Sequence, residues 1–252
     1  AQAGLHAYIA ILAKNKLPMK KWFLVSFILG SIIPDIDAFF VLIGSFFIPL
    51  ANSIEIFYRS VTHNVFIIIF LYLLFLIIYE FSKNKKYLII GSGLFLGISL
   101  HLIIDIFFWF DSIHIFWPLP TERLDLWKFF SVSTWLSNLF MLFEFVFFRL
   151  LAWELIKMLI NSEGSKGKYL KLLSYFMKLQ LIQILTFSIF LYFLNSSSIY
   201  YIFATYYTFS LLLILYIIFK IRDSINKHIF IKKDEKDQLD FDNKKSAIKN
   251  IE

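Results

Sequence analysis

Two long apolar runs, residues 65–79 and 208–219, limit what this chain can fold into. Runs of this kind indicate helices in lipid, where every backbone N–H and C=O group has to be bonded inside the protein. The composition agrees, because 59% of the 252 residues are hydrophobic and only 17% are charged. A soluble domain of this size has too little interior to hide so much apolar surface. The sequence therefore predicts an all-α membrane protein.

Polar and basic segments divide the chain into about six membrane spans, preceded by a short helix over residues 4–13. The first span contains Pro34, which suits the first turn of a new helix and disfavours helix at the residue before it. We therefore predict a helix break at Pro34-Asp35-Ile36-Asp37. The predicted spans are 22–50 with this break, 64–81, 87–110, 129–156, 172–194 and 199–219. Three segments follow from them: a metal-site membrane domain (1–128), three C-terminal transmembrane helices (129–219), and a charged tail (220–252) predicted to be disordered.

Lys and Arg residues are concentrated on one side of the predicted bundle. Segments 14–21, 83–86 and 149–178 hold four, three and six of them, and the tail holds nine. The other side carries only Arg59, Arg123 and Lys128. Because basic loops stay in the cytoplasm, we predict a multi-pass protein of the inner (plasma) membrane with a cytoplasmic C-terminus. The net charge of +7 then indicates contact with membrane lipids, and we expect no nucleic-acid partner.

The chain has no cysteine, which excludes disulfides, thiolate metal sites and a Cys nucleophile. Ionisable residues inside membrane helices are rare and costly, yet several cluster in the first 105 residues. His101 and Asp105 are four residues apart and share one helix face, which Gly93 and Gly97 continue with small residues that allow close helix packing. The intramembrane cluster consists of His6, Asp35, Asp37, His63, His101 and Asp105.

Asp35 and Asp37 do not share a face on a regular helix, but a break lets both carboxylates converge. Counting ~1.5 Å per residue from the nearest cytoplasmic Lys places Asp35 and His101 at similar depths, about 21 and 22 Å. The same count places His63 at about 30 Å and His6 at only about 12 Å. This disagreement indicates that the first helix is not a simple vertical segment, or that loop 14–21 is itself re-entrant.

Five segments of the chain form a pattern of polar motifs. They are Gly4-Leu5-His6, Gly30-Ser31-Ile32-Ile33-Pro34-Asp35-Ile36-Asp37, Arg59-Ser60-Val61-Thr62-His63, Gly97-Ile98-Ser99-Leu100-His101-Leu102-Ile103-Ile104-Asp105 and, as a weaker match, Ile115-Phe116-Trp117-Pro118-Leu119. In this order they resemble the YdjM-like family, known as membrane-bound metal-dependent hydrolases, whose pattern is G-H, L-P-D-I-D, H-R-x-x-T-H-S, G-x-x-x-H-x-x-x-D and L-x-W-P. The resemblance covers about residues 3–120.

The resemblance implies that the six clustered His and Asp residues are metal ligands or their close partners. The ion expected is divalent, Zn first with Mn or Mg as alternatives, bound as one or two ions. Three positions depart from the family pattern: Tyr58 replaces its first His, Asn64 its Ser, and Ala38 a frequent His. Tyr58 can still donate a proton, but its pKa near 10 makes it a poorer acid at neutral pH.

The leading functional hypothesis is a membrane-embedded, metal-dependent hydrolase acting from the outer side on a lipid-associated ester or phosphoester. In it, Asp37 is the general base, Arg59 clamps an anionic group, and Tyr58 is the possible proton donor. Two metal ions bridged by a carboxylate would accommodate three His and three Asp. Two alternatives stay open. The broken helix is also typical of ion-coupled transporters, and the departures favour a non-catalytic structural or assembly subunit of a larger membrane complex.

Overall fold

The structure is a computed structural model that describes residues 2–18, 20–108, 112–126, 128–129, 133–164 and 167–249. Within these residues the secondary structure is helical, apart from an isolated antiparallel bridge between Ile113 and Leu124, so the all-α class is confirmed. Two 3-10 turns cover Ala13–Lys16 and Ile33–Ile36. The α-helices are α1 (Ala3–Leu12), α2 (Phe23–Gly30), α3 (Asp37–Gly44), α4 (Leu50–Phe57), α5 (Val65–Ser82), α6 (Lys85–Phe108), α7 (Thr134–Glu163), α8 (Leu170–Phe193) and α9 (Ser196–Lys249).

Four helices among the described residues are long and apolar enough to cross a membrane: α5, α6, α8 and the Ser198–His228 part of α9. α2 and the segment Ile33–Gly44 meet at 46° and make a fifth span if they are counted as one. These four or five candidate spans are fewer than the six predicted, and α7, which covers the predicted span 129–156, is not among them. Charged side chains along this helix make its transfer into lipid costly. They are Glu144, Arg149, Glu154 and Lys157.

The predicted helix break is confirmed. α2 ends at Gly30, a 3-10 turn with Pro34 in its first turn follows, and α3 begins at Asp37. The second half of the broken span is shorter than predicted, because α3 ends at Gly44 and the chain turns before Pro49. Pro49 then precedes α4, a helix in a region that the sequence suggested only as a polar patch.

Glycines bring α2 and α6 into direct backbone contact. A Cβ atom added at Gly30 would lie 2.7 Å from the carbonyl oxygen of Leu94. One added at Gly97 would overlap the carbonyl oxygen of Phe27. The prediction that Gly93 and Gly97 allow another helix to approach closely is thus confirmed, and the approaching helix is α2.

The main apolar core joins both ends of the chain. It includes Ile11 of α1, Phe27 of α2, Phe148 of α7 and Ile214 of α9. α5 instead exposes large apolar side chains such as Phe70, as expected for a helix surface in contact with lipid. The backbone of α9 continues as helix through most of the charged tail to Lys249. The three-segment division and the disorder of the tail stay predictions.

Candidate metal centre

The helix break directs two carboxylates into the protein interior. Asp35 and Asp37 are both fully buried. Oδ2 of Asp37 accepts a hydrogen bond from the backbone N–H of Arg59 at 2.7 Å and lies 3.3 Å from Nδ1 of His63. Among the described residues, no hydrogen bond reaches either oxygen of Asp35. Its oxygens lie 3.9 Å from Nε2 of His63 and 4.0 Å from Nδ1 of His101.

α6 carries His101 and Asp105 on the face that packs near the break, and both side chains are buried. Nδ1 of His101 lies 2.8 Å from the carbonyl oxygen of Ser31. Because a carbonyl oxygen only accepts hydrogen bonds, Nδ1 carries the proton and Nε2 keeps its lone pair. This arrangement, with one ring nitrogen held by a backbone carbonyl, is typical of histidines that bind metal through the other nitrogen.

The segment between α4 and α5 brings His63 to the same place. Oγ1 of Thr62 donates to the carbonyl oxygen of Pro34 at 2.6 Å and ties this segment to the helix break. Asn64 caps α5, since its Oδ1 accepts from the backbone N–H of Ile67 at 2.9 Å. The departure from the family's Ser at this position therefore keeps an N-cap directly after His63.

His6 reaches the cluster from α1. Its Nε2 lies 3.0 Å from Oδ1 of Asp105, and its ring centroid is 3.8 Å from that of His101. The depth count from the sequence had placed His6 too low. The count started from Lys14 as a residue at the membrane surface. Lys14 instead binds Glu154 at 3.1 Å, about 13 Å of helix before the end of α7, so it does not mark the end of the bundle.

Three ligand-type atoms form a nearly equilateral triangle in this cluster. Nε2 of His101 lies 3.1 Å from Nε2 of His63, and Oδ2 of Asp105 lies 3.5 and 3.4 Å from these two nitrogens. A tetrahedral zinc ion with bonds of about 2.0–2.1 Å separates its ligands by about 3.3 Å. Two groups of three side chains have ligand atoms within 4.8 Å of one another: His6, His101 and Asp105, and Asp35, His63 and His101.

The residues present fit a divalent metal ion. Asp35 is a fully buried carboxylate without a hydrogen-bond donor among the described residues, and such a group is very costly unless a cation compensates it. Both groups of three use His101, whose Nδ1 is bonded to Ser31. One ring nitrogen binds one ion, so His101 can serve only one of the two groups at a time.

A cationic side chain also lies within the cluster. Nη2 of the fully buried Arg59 donates to Oδ2 of Asp105 at 2.8 Å.

The three predicted catalytic residues lie in or beside the centre. Asp37 and Arg59 contact each other through the Arg59 backbone, and the Arg59 guanidinium is 5.4 Å from the ring centroid of Tyr58. The catalytic roles of these residues stay predictions. In the segment between α6 and α7, the backbone N–H of His114 donates to the carbonyl oxygen of Arg59 at 3.3 Å.

The sequence analysis did not single out Glu144, which lies beside the cluster. Oε1 of the fully buried Glu144 accepts from the backbone N–H of Gly4 at 2.7 Å, two residues before His6. A charged residue deep in an apolar helix was the available signal, but its partner lies 140 positions away. Elsewhere on α7, Arg149 donates to the carbonyl oxygen of Met177 at 2.6 Å, and Lys157 binds Glu154 at 2.7 Å.

The fold and the cluster define a helical, membrane-embedded protein with a buried His/Asp centre. The family model of the YdjM inner membrane protein matches residues 1–224. This chain belongs to that family. No curated protein and no solved structure matches it.

Proposed function

We propose that this protein binds one divalent metal ion, of the zinc type, and uses it to hydrolyse an ester or phosphoester of a membrane lipid. The triangle of His63, His101 and Asp105 beside the donorless carboxylate of Asp35 is the observation that carries the proposal. His63, His101 and Asp105 would hold the ion and leave a fourth position open to water or substrate, with Asp35 beside it. Two nitrogen ligands and one carboxylate at these separations suit Zn better than Mg, which prefers six oxygens.

The buried charge supports a divalent ion. Three buried carboxylates face one buried guanidinium, that of Arg59, in an interior where unbalanced charge is costly. With neutral histidines, an ion of charge two brings the total to zero. A monovalent ion leaves a negative charge, and an additional divalent ion creates a positive one. This balance is the second argument for one ion over two.

The side chains around the ligands have separable roles. Arg59 and His6 each bind one oxygen of Asp105 and fix its orientation. Asp37 fixes the Arg59 backbone and one nitrogen of His63. Asp35 has no competing hydrogen bond among the described residues and is therefore the carboxylate best placed to accept a proton from an attacking water. A bound ion would supply Lewis-acid polarisation of the substrate oxygen.

Elemental analysis of protein purified in nanodiscs tests the metal directly. We expect one zinc-type ion per chain, and we expect His101→Ala to lose it. His228→Ala is the matched control, because His228 lies in α9 outside both ligand groups, and it should keep full occupancy. A wild-type protein without stoichiometric metal would contradict the proposal.

Hydrolysis needs a separate measurement. Long-chain p-nitrophenyl esters and phosphoesters in mixed micelles should be turned over by the metal-loaded wild type. Asp35→Asn should lower kcat by a factor of about 10² or more, because it removes a proton acceptor. Metal without turnover of any probe would favour the second candidate, a non-catalytic subunit. The observation that favours that candidate is the complete burial of the centre, since the ligand side chains are at most 2% exposed.

A further inference from the structure

The first turn of α1 is held by residues from other helices. The backbone N–H groups at a helix start have no partner within the helix, and Gln2, the N-cap, provides no side-chain bond. The N–H of Ala3 instead points to the hydroxyl of Tyr207 on α9 at 3.4 Å, and the N–H of Gly4 donates to Oε1 of Glu144 on α7 at 2.7 Å. A carboxylate at a helix N-terminus is also favoured by the helix dipole.

α1 lies directly against α7 at this point. A Cβ atom added at Gly4 would be 2.8 Å from the backbone nitrogen of Phe148 and 3.0 Å from the carbonyl oxygen of Glu144. Farther along, Lys14 binds Glu154, so the same spacing of 140 residues recurs and the two helices run side by side in the same direction. Carboxylates of α7 thus bind both ends of the α1 segment.

His6 lies within the turn that these contacts fix. Its backbone N–H donates to the carbonyl oxygen of Gln2 at 3.0 Å, and its Nε2 reaches Oδ1 of Asp105 at 3.0 Å. A displacement of this turn therefore moves His6 relative to Asp105. Glu144 itself is fully buried, and its Oε1 finds its hydrogen-bond donor at this helix start, while no donor among the described residues reaches its Oε2.

We propose that Glu144 is a positioning residue of the metal centre: it anchors the first turn of α1 and thereby holds His6 against Asp105. This inference rests on the proposed metal site. It assigns a function to a carboxylate that lies outside both ligand groups and 140 positions from the backbone it binds.

A double-mutant cycle tests the inference with zinc itself as the probe. Glu144→Leu should weaken zinc affinity by about 10- to 100-fold, the range for residues that orient ligands from outside. Glu144→Gln keeps an acceptor oxygen and should recover most of the affinity. In the His6→Ala background, Glu144→Leu should have no further effect, because the residue through which it acts is gone. Glu154→Ala is the control and should leave zinc affinity within about threefold.

The outcomes distinguish a failure of the positioning role of Glu144 from a failure of the metal site. Equal losses from Glu144→Leu with and without His6 would mean a general structural role and would overturn this inference while leaving the metal site intact. A wild type that binds no zinc would overturn both. If Glu144→Leu does not fold, Gly4→Ala replaces it, since the added methyl group lifts the first turn of α1 from α7 while Glu144 stays. If Gly4→Ala weakens zinc affinity only when His6 is present, the inference is supported. If it weakens affinity equally in the His6→Ala background, the inference is overturned.

Discussion

A single side chain, His63, connects the helix break to α6. Its Nδ1 faces Asp37, and its Nε2 faces both His101 and Asp105. A metal ion binds only an unprotonated imidazole nitrogen, so an ion at this position competes with protons for His63.

Zinc affinity should consequently depend on pH. Because ions and protons compete for the imidazole nitrogens, affinity should fall steeply below the ordinary histidine pKa of about 6.5. Zinc titrations at about pH 5.5 and about pH 7.5 measure the fall. His63→Gln should bind more weakly and lose part of this pH dependence. A wild-type affinity independent of pH would contradict the assignment of His63 as a ligand.

Each predicted site residue could be recognised from the sequence by itself, without knowing its partners. A His or Asp in an apolar helix stands out, since burial of its polar group needs a compensating partner. The partners themselves were not predictable. His6 meets Asp105 across 99 positions and His101 meets Ser31 across 70, and no local pattern records these separations.

At the scale of elements, the position of the centre depends on how closely α2 and α6 approach. Gly97 places its Cα against the backbone of α2, one helical turn before His101. That contact keeps the carbonyl oxygen of Ser31 within hydrogen-bond distance of His101. The break after α2 then turns Asp35 and Asp37 toward the same side. Helix packing and helix termination thus assemble ligands from separate segments.

Gly97→Ala should disturb both stability and metal binding. The added methyl group overlaps the backbone of α2, so the helices have to separate, at a cost of about 1–3 kcal/mol. We also expect zinc affinity to fall at least about tenfold, because His101 moves relative to Ser31. Unfolding in detergent and zinc titration measure the two effects. Ser99→Ala, on the same helix with its hydroxyl bonded to Phe95, should be close to neutral. Unchanged affinity in Gly97→Ala would show that this packing does not set the geometry.

At the scale of the whole molecule, the N-terminal half does not stand apart from the C-terminal helices. α1 packs on α7 and α9, and the core includes residues of both. α7 carries charged groups that bind α1, the 3-10 turn after it and α8, which explains why its sequence is less apolar than that of a lipid-facing helix. The candidate metal centre thus lies in a bundle whose outer surface is formed in part by the exposed apolar side chains of α5.

The orientation predicted from the basic loops is testable because the chain has no native cysteine. Asn52→Cys and Ser82→Cys lie on opposite predicted sides, and both positions are exposed. In spheroplasts with an intact inner membrane, a membrane-impermeant maleimide should label Asn52→Cys and leave Ser82→Cys unlabelled. Inverted vesicles should give the reverse result. Equal labelling of both positions on one side would exclude the predicted topology.

Hydropathy and proline position are local patterns, and they can be read without knowing the tertiary structure. From such patterns the sequence alone predicted the helical class, the membrane location, the break at Pro34 and the set of clustered His and Asp residues. Only the tertiary structure decided which atoms face one another. It brought α1 into the bundle beside α7, fixed Nδ1 of His101 on Ser31, and left Asp35 without a hydrogen-bond donor among the described residues. The physical reason is that these contacts join segments far apart in the chain, and their geometry depends on close packing of the helices.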